Sequence, residues 1–76
     1  MAVDKTELRN VYITFLEEDI IKTLAGIKNI DNRVAMEKYY RSKLCQQISS
    51  GDYGLEYMDY RYLANDLIEN EPELFL

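Results

Sequence analysis

Residues 4–27, DKTELRNVYITFLEEDIIKTLAGI, carry apolar side chains at steps of three and four residues. That spacing places side chains on one side of an α-helix, so it predicts a first helix over about residues 5–25. Asp4 is suited to cap its start in a capping box with Glu7, and Gly26 is suited to end it in the left-handed conformation. The residues expected to form its core-facing stripe are Leu8, Tyr12, Ile13, Phe15, Leu16, Ile20, Ile21, Leu24 and Ile27.

Two more helical segments follow. Asp31 is a plausible N-cap for a second helix over about residues 31–48, and Ser49, Ser50 and Gly51 are expected to end it. A third helix is expected over about residues 55–70, because Pro72 disfavours helix at the residue before it. Residues 50–59 fit either a loop or a first helical turn, and Asp59 would be the cap if the helix begins late. In the second helix, an apolar stripe is expected at Met36, Tyr40, Leu44 and Ile48.

Turn residues are scarce: the chain has three glycines and one proline in 76 residues. A sheet of several short strands needs more turns than these residues allow, and no Asn-Gly or Asp-Gly hairpin signal is present. The sequence therefore predicts an all-α fold, a small compact three-helix bundle with a short C-terminal tail. Residues 1–76 are expected to form a single helical domain.

Composition disfavours catalysis. Histidine is absent and cysteine occurs once, which removes histidine-based catalytic sites, zinc fingers and disulfide scaffolds. Glu17, Glu18 and Asp19 are adjacent, but neighbouring helical residues point about 100° apart and cannot converge on one ion without ligands from another segment. Cys45 lacks the histidine that usually activates a thiol. We therefore expect a protein that is not an enzyme and that holds no cofactor and no metal.

The same features indicate a compartment. A lone Cys45 cannot form an intramolecular disulfide, which favours a reducing environment. Residues 1–6 lack the basic run followed by an apolar stretch that an export signal needs. The purely apolar runs are far shorter than a bilayer span. The prediction is a cytoplasmic protein with no membrane segment.

Charge is distributed unevenly along this acidic chain, which carries a net −5. Residues 1–27 hold three basic and five acidic side chains, for −2. Residues 28–43 hold five basic and two acidic side chains, for +3. Residues 44–76 hold one basic and seven acidic side chains, for −6. One basic helix is therefore expected between acidic segments.

Tyrosines cluster around the junction of the basic and acidic segments, where six of the seven fall within residues 39–62. Tyrosine is enriched at protein interfaces because it combines a large apolar ring with a hydroxyl. The C-terminal residues 71–76 could either dock on the bundle or bind a partner, and both alternatives remain open. The candidate interface residues are Tyr39, Tyr40, Arg41, Tyr53, Tyr57, Tyr60, Tyr62 and Phe75.

These features favour a non-catalytic protein–protein interaction module, a small cytoplasmic adaptor or regulator that binds another protein and self-associates as a homodimer. An alternative is an acidic, antitoxin-like or phage-type inhibitor that occupies the basic groove of a nucleic-acid-binding protein. A second alternative is a nucleic-acid-binding module that uses the basic helix 31–48. Direct nucleic-acid binding is disfavoured because the net negative field repels phosphate.

Overall fold

The structure, a computed structural model, describes residues 5–76. These residues form four α-helices and two 3₁₀ segments, with no strand among them, which confirms the all-α prediction. No helix within this range is both long enough and apolar enough to cross a bilayer. The helices are α1 (Lys5–Lys28), α2 (Asn32–Tyr40), α3 (Lys43–Ser50) and α4 (Tyr60–Asn70), and the 3₁₀ segments are Asp52–Tyr57 and Pro72–Phe75.

The long helix α1 organises the packing. It contacts both α2 and α4, whereas α3 packs against the 3₁₀ segment Asp52–Tyr57. Burial of apolar side chains between these elements is the main favourable contribution to folding. The buried core consists of Ile13, Leu16, Ile20, Ile21, Leu24, Ala35, Tyr39, Leu44, Ile48, Leu63, Ala64 and Leu67.

The end of α1 differs from the prediction. Gly26 is helical, and the helix continues to Lys28. Asn29 takes the left-handed conformation instead, with φ at 54°, and the Ile30 N–H donates to the Ala25 carbonyl at 3.0 Å. This is the hydrogen-bond pattern of a Schellman cap, in which asparagine is the usual substitute for glycine. The predicted cap at Asp4 lies outside the described residues.

The count of three helices is wrong, because the segment 31–48 is two helices. Asp31 caps α2 as expected, accepting from the Arg33 N–H at 2.9 Å. Ser42 then takes an extended conformation and caps α3 by accepting from the Cys45 N–H at 3.1 Å. A serine hydroxyl that bonds nearby backbone groups competes with the helix ladder, which is why the chain breaks there.

The break shifts the buried stripe by one residue. The expected stripe ran through Met36 and Tyr40, but both are exposed, and Ala35 and Tyr39 are buried in their place. In α3, Leu44 and Ile48 are buried as predicted. Gly51, with φ at 79°, ends α3 in the left-handed conformation.

The last helix begins later than the predicted residue 55. Residues 52–57 form the 3₁₀ segment, and α4 starts at Tyr60 with Asp59 as its cap. The Asp59 carboxylate accepts from the Arg61 N–H at 2.7 Å. Residues 50–59 are thus largely a connection, one of the two alternatives that the sequence left open.

The C-terminal tail docks on the bundle. The Glu71 carboxylate is buried and accepts from the Lys43 and Leu44 N–H groups at 2.9 and 3.3 Å, at the start of α3. Lys38 donates from Nζ to the Leu74 carbonyl. The Lys38 ammonium lies over the Phe75 ring, 5.7 Å from the ring centroid. These contacts support the docked alternative for residues 71–76.

Candidate functional site

One side of α1 is apolar and uncovered. Leu8, Val11, Tyr12 and Phe15 are each between 48% and 62% exposed. Their spacing of three, four and seven residues places them on a single side of the helix, which we call the outer face. The core residues of α1 occupy the opposite side. The helix therefore has two apolar sides, of which the fold covers one.

A groove runs beside the outer face. It has a volume of about 470 Å³ and lies between α1 and the segment that leads into α4. From that segment, Tyr57, Met58 and Tyr60 contribute side chains that are 36% to 79% exposed. The groove is lined by Tyr12, Phe15, Leu16, Asp19, Tyr57, Met58, Asp59 and Tyr60.

The groove has two walls, of which α1 is the first and the segment that leads into α4 is the second. An ion pair holds this second wall against α1. Arg9 on α1 donates from Nη2 to Oε2 of Glu56 at 2.7 Å and to the Ile48 carbonyl at 3.4 Å. The Glu56 side chain is only 9% exposed, so the pair is partly shielded from water. Ion pairs in such surroundings are screened less than exposed ones. Because Glu56 directly precedes Tyr57, this pair also fixes the backbone position from which the Tyr57 side chain projects.

Charges of both signs lie at the edge of the groove. The Arg61 side chain hydrogen-bonds to Asp59, with Nη2 and Oδ2 3.1 Å apart, and this bond lowers the pKa of the Asp59 carboxyl below its usual range. On α1, Glu18, Asp19 and Lys22 continue the side of the helix that carries the outer face. All three are exposed. The apolar surface therefore ends in charged residues, as the rim of a protein interface commonly does.

The eight residues expected at an interface do not form one surface. Tyr57 and Tyr60 line the groove. Tyr53 and Tyr62 are exposed but are not among its lining residues, and Tyr40 and Arg41 are exposed at the end of α2.

Two of the expected interface residues belong to the bundle itself. Tyr39 is fully buried, and its hydroxyl donates to Oε2 of Glu17 at 2.7 Å, so it lies in the core and not on an accessible surface. Phe75 is partly buried against the core. Lys28 and Lys38 cover its ring. Both aromatic side chains stabilise the fold in this arrangement.

Five of the seven apolar residues of the site were not recognised in the sequence. Leu8, Tyr12 and Phe15 were assigned to the core, and Val11 and Met58 were not expected at an interface. The available signal was the width of the apolar pattern on α1, which is broader than one buried stripe requires. Spacing alone does not tell which of two apolar sides a neighbouring helix covers.

The polar cluster between α1, α2 and α3 is a structural one. The Cys45 thiol donates to Oε2 of Glu17 at 3.7 Å, beside the bond from Tyr39. Burial and the nearby Glu17 charge raise the pKa of Cys45, which leaves less of the nucleophilic thiolate at neutral pH. Among the described side chains, no three carboxylates or thiols group as metal ligands would.

Comparisons with protein-family models, with curated proteins and with solved structures give no significant match. The site is therefore interpreted from its geometry. That geometry is a concave aromatic surface beside an apolar helix side, with charges at its edge. Such a surface can bind apolar side chains by removing them from water.

Proposed function

We propose that this protein is a non-catalytic protein–protein interaction module, a small cytoplasmic adaptor or regulator that binds its partner through the outer face and the groove. The observation that carries the proposal is the joint exposure of seven large apolar side chains on adjoining elements. They are Leu8, Val11, Tyr12, Phe15, Tyr57, Met58 and Tyr60.

The size of this surface supports the proposal. At roughly 200 Å² for each large side chain, the exposed fractions of the seven residues correspond to roughly 700 Å² in total. The largest apolar patch on a monomeric protein usually covers about 300 to 600 Å². One side of a standard protein–protein interface covers about 800 Å². The summed exposure is thus at least as large as such a patch and approaches one half of an interface.

Its chemistry fits a protein partner. Tyrosine, phenylalanine and methionine are enriched at the centres of interfaces, and the two aromatic types bury large areas with few rotatable bonds. Phe15 and Tyr57, the most exposed of the seven, are suited to act as anchors in a partner's pockets. Asp59 and Arg61 at the edge are suited to a polar rim.

The acidic-inhibitor hypothesis finds less support. It requires acidic side chains of the predicted third helix, about residues 55–70, in rows on one exposed face, but several carboxylates in and beside this segment bind within the chain. Glu56 pairs with Arg9, and Asp59 caps α4 and pairs with Arg61. Glu71 caps α3.

The nucleic-acid hypothesis also finds less support. It relies on the basic residues of the predicted helix 31–48. One of them, Lys38, donates to the Leu74 carbonyl and lies over the Phe75 ring. That ammonium is occupied by the docked tail and is less available to phosphate.

The proposal is tested by capture from a lysate of the source organism with the tagged full chain and two variants. Phe15→Gln removes an anchor from the outer face, and Ile27→Gln is the matched control, an exposed apolar residue on α1 outside that face. We expect proteins that are retained by the unmodified chain and by Ile27→Gln but lost with Phe15→Gln. Circular dichroism confirms that both variants remain helical. Retention that Phe15→Gln leaves unchanged would contradict the assigned surface.

A further inference from the structure

We propose that the occupant of the outer face and the groove is a second copy of this chain, bound antiparallel across a two-fold axis. The inference rests on the proposed function, since it names the partner of the same surface. In a two-fold contact the same patch serves on both subunits and must be complementary to itself. Two properties of the patch meet this requirement.

The first property is that a protruding side chain and a groove lie at opposite ends of the patch. Leu8 is 57% exposed at one end, and the groove of about 470 Å³ lies beside Tyr12 and Phe15 at the other end. An antiparallel copy turns its own Leu8 end toward this groove. Each copy then places an aliphatic side chain against the groove of the other.

The second property is the order of side-chain sizes along α1. Leu8, Val11, Tyr12 and Phe15 follow the spacing by which helices pack against one another. The midpoint of the four lies between Val11 and Tyr12. An antiparallel copy that crosses at that midpoint sets Leu8 opposite Phe15 and Val11 opposite Tyr12. Each level then pairs a smaller aliphatic side chain with a larger ring, which is how close-packed interfaces avoid voids.

The area is adequate for a stable contact. Two patches of roughly 700 Å² bury about 1,400 Å² together, within the range of about 1,200 to 2,000 Å² for specific interfaces. A domain of this length also gains from association, because it buries a smaller fraction of its surface than a larger domain does.

Sedimentation equilibrium of the purified full chain tests the second copy. We expect a species of twice the 9.0 kDa chain mass that dissociates on dilution. Phe15→Gln should raise the dimer dissociation constant about tenfold or more, and Ile27→Gln should leave it unchanged. Val11→Gln gives a second perturbation of the same contact, so the test holds even if Phe15→Gln fails to fold.

Disulfide trapping tests the antiparallel arrangement. On a Cys45→Ser background, a Leu8→Cys copy mixed with a Phe15→Cys copy should cross-link to each other. Cross-linking of Leu8→Cys copies among themselves would overturn that arrangement.

The failures of the two proposals are distinguishable. A chain that stays monomeric at all concentrations, yet retains a lysate protein through Phe15, overturns the second copy and leaves the proposed function standing. A monomeric chain that retains nothing through Phe15 overturns both. A dimer that Phe15→Gln and Val11→Gln leave intact places the contact elsewhere and overturns the inference.

Discussion

The hydroxyl of Tyr39 donates a hydrogen bond of 2.7 Å to Oε2 of Glu17, which joins α2 to the middle of α1. Tyr39 is among the largest fully buried side chains, and a buried tyrosine hydroxyl needs an acceptor. Glu17 belongs to the run Glu17-Glu18-Asp19, which looks in sequence like a charged surface. Its role is to accept from Tyr39 and Cys45 at the junction of three helices.

Tyr39→Phe is expected to lower the free energy of unfolding by about 1 to 2 kcal/mol, because it keeps the ring and removes the donor to a partly buried carboxylate. Urea denaturation measures the change. Tyr40→Phe is the matched control, since Tyr40 is the next residue along and its side chain is exposed. That substitution should change stability by less than about 0.5 kcal/mol. Equal losses in the two variants would show that the hydrogen bond to Glu17 contributes nothing specific.

Stability should fall at alkaline pH through the same residue. Burial raises the pKa of Tyr39, and the hydrogen bond to Glu17 raises it further. The unfolded chain releases this proton near the ordinary tyrosine pKa of about 10, whereas the folded chain keeps it. The contribution is therefore fully present below about pH 10 and is lost as the pH rises toward the folded-state pKa. Between about pH 9 and pH 11, the urea midpoint should fall more for the unmodified chain than for Tyr39→Phe. Parallel profiles would contradict the assignment.

Local signals in the sequence predicted much of the fold. Asp31 and Asp59 cap helices, and Gly51 ends one, because short polar side chains and glycine act on the backbone directly beside them. The break at Ser42 was missed because an unbroken stripe through Met36 and Tyr40 was equally consistent with the pattern. Which stripe is buried depends on the rest of the fold.

The start of α3 shows what a local pattern cannot reveal. Its first two N–H groups bond to the carboxylate of Glu71, which is 28 residues from Lys43 in sequence. A helix start leaves such groups unpaired unless a cap or another segment supplies an acceptor, and a negative charge there also complements the helix dipole. In the sequence, Glu71 is only the residue before Pro72.

Glu71→Ala is expected to lower the free energy of unfolding by about 2 kcal/mol, because it leaves two N–H groups at the start of α3 without their acceptors. Glu69→Ala on α4 is the control, since that carboxylate is exposed and of the same type. It should change stability by about 0.5 kcal/mol or less. Thermal and urea unfolding measure both. A Glu71→Ala protein as stable as Glu69→Ala would contradict the capping role.

The candidate site was predicted only in its second wall. Tyr57 and Tyr60 were expected at an interface, because tyrosines at steps of two and three residues cannot all face one core. The first wall, Tyr12 and Phe15, was assigned to the core. A helix with two apolar sides carries no local mark of which one its neighbours cover, and here α2 and α4 leave the outer face open.

Tyr53 holds a conformation that its side chain disfavours. Its φ and ψ are 58° and 15°, in the left-handed region, and it is followed by Gly54 with φ at 63°. Its ring is 88% exposed, so burial does little to offset the strain. The left-handed region costs a residue with a Cβ about 1 to 2 kcal/mol, and glycine avoids this cost but loses more entropy on folding. Tyr53→Gly should therefore raise the free energy of unfolding by about 1 kcal/mol.

Tyr53→Ala separates this backbone effect from loss of the ring. It removes the same ring but keeps the Cβ atom, so it should leave stability within about 0.5 kcal/mol of the unmodified chain. Urea denaturation of the three proteins gives the comparison. If Tyr53→Ala stabilises as much as Tyr53→Gly, the gain comes from removing an exposed ring and not from the backbone. If Tyr53→Gly destabilises, the ring makes contacts whose contribution exceeds the strain at this turn.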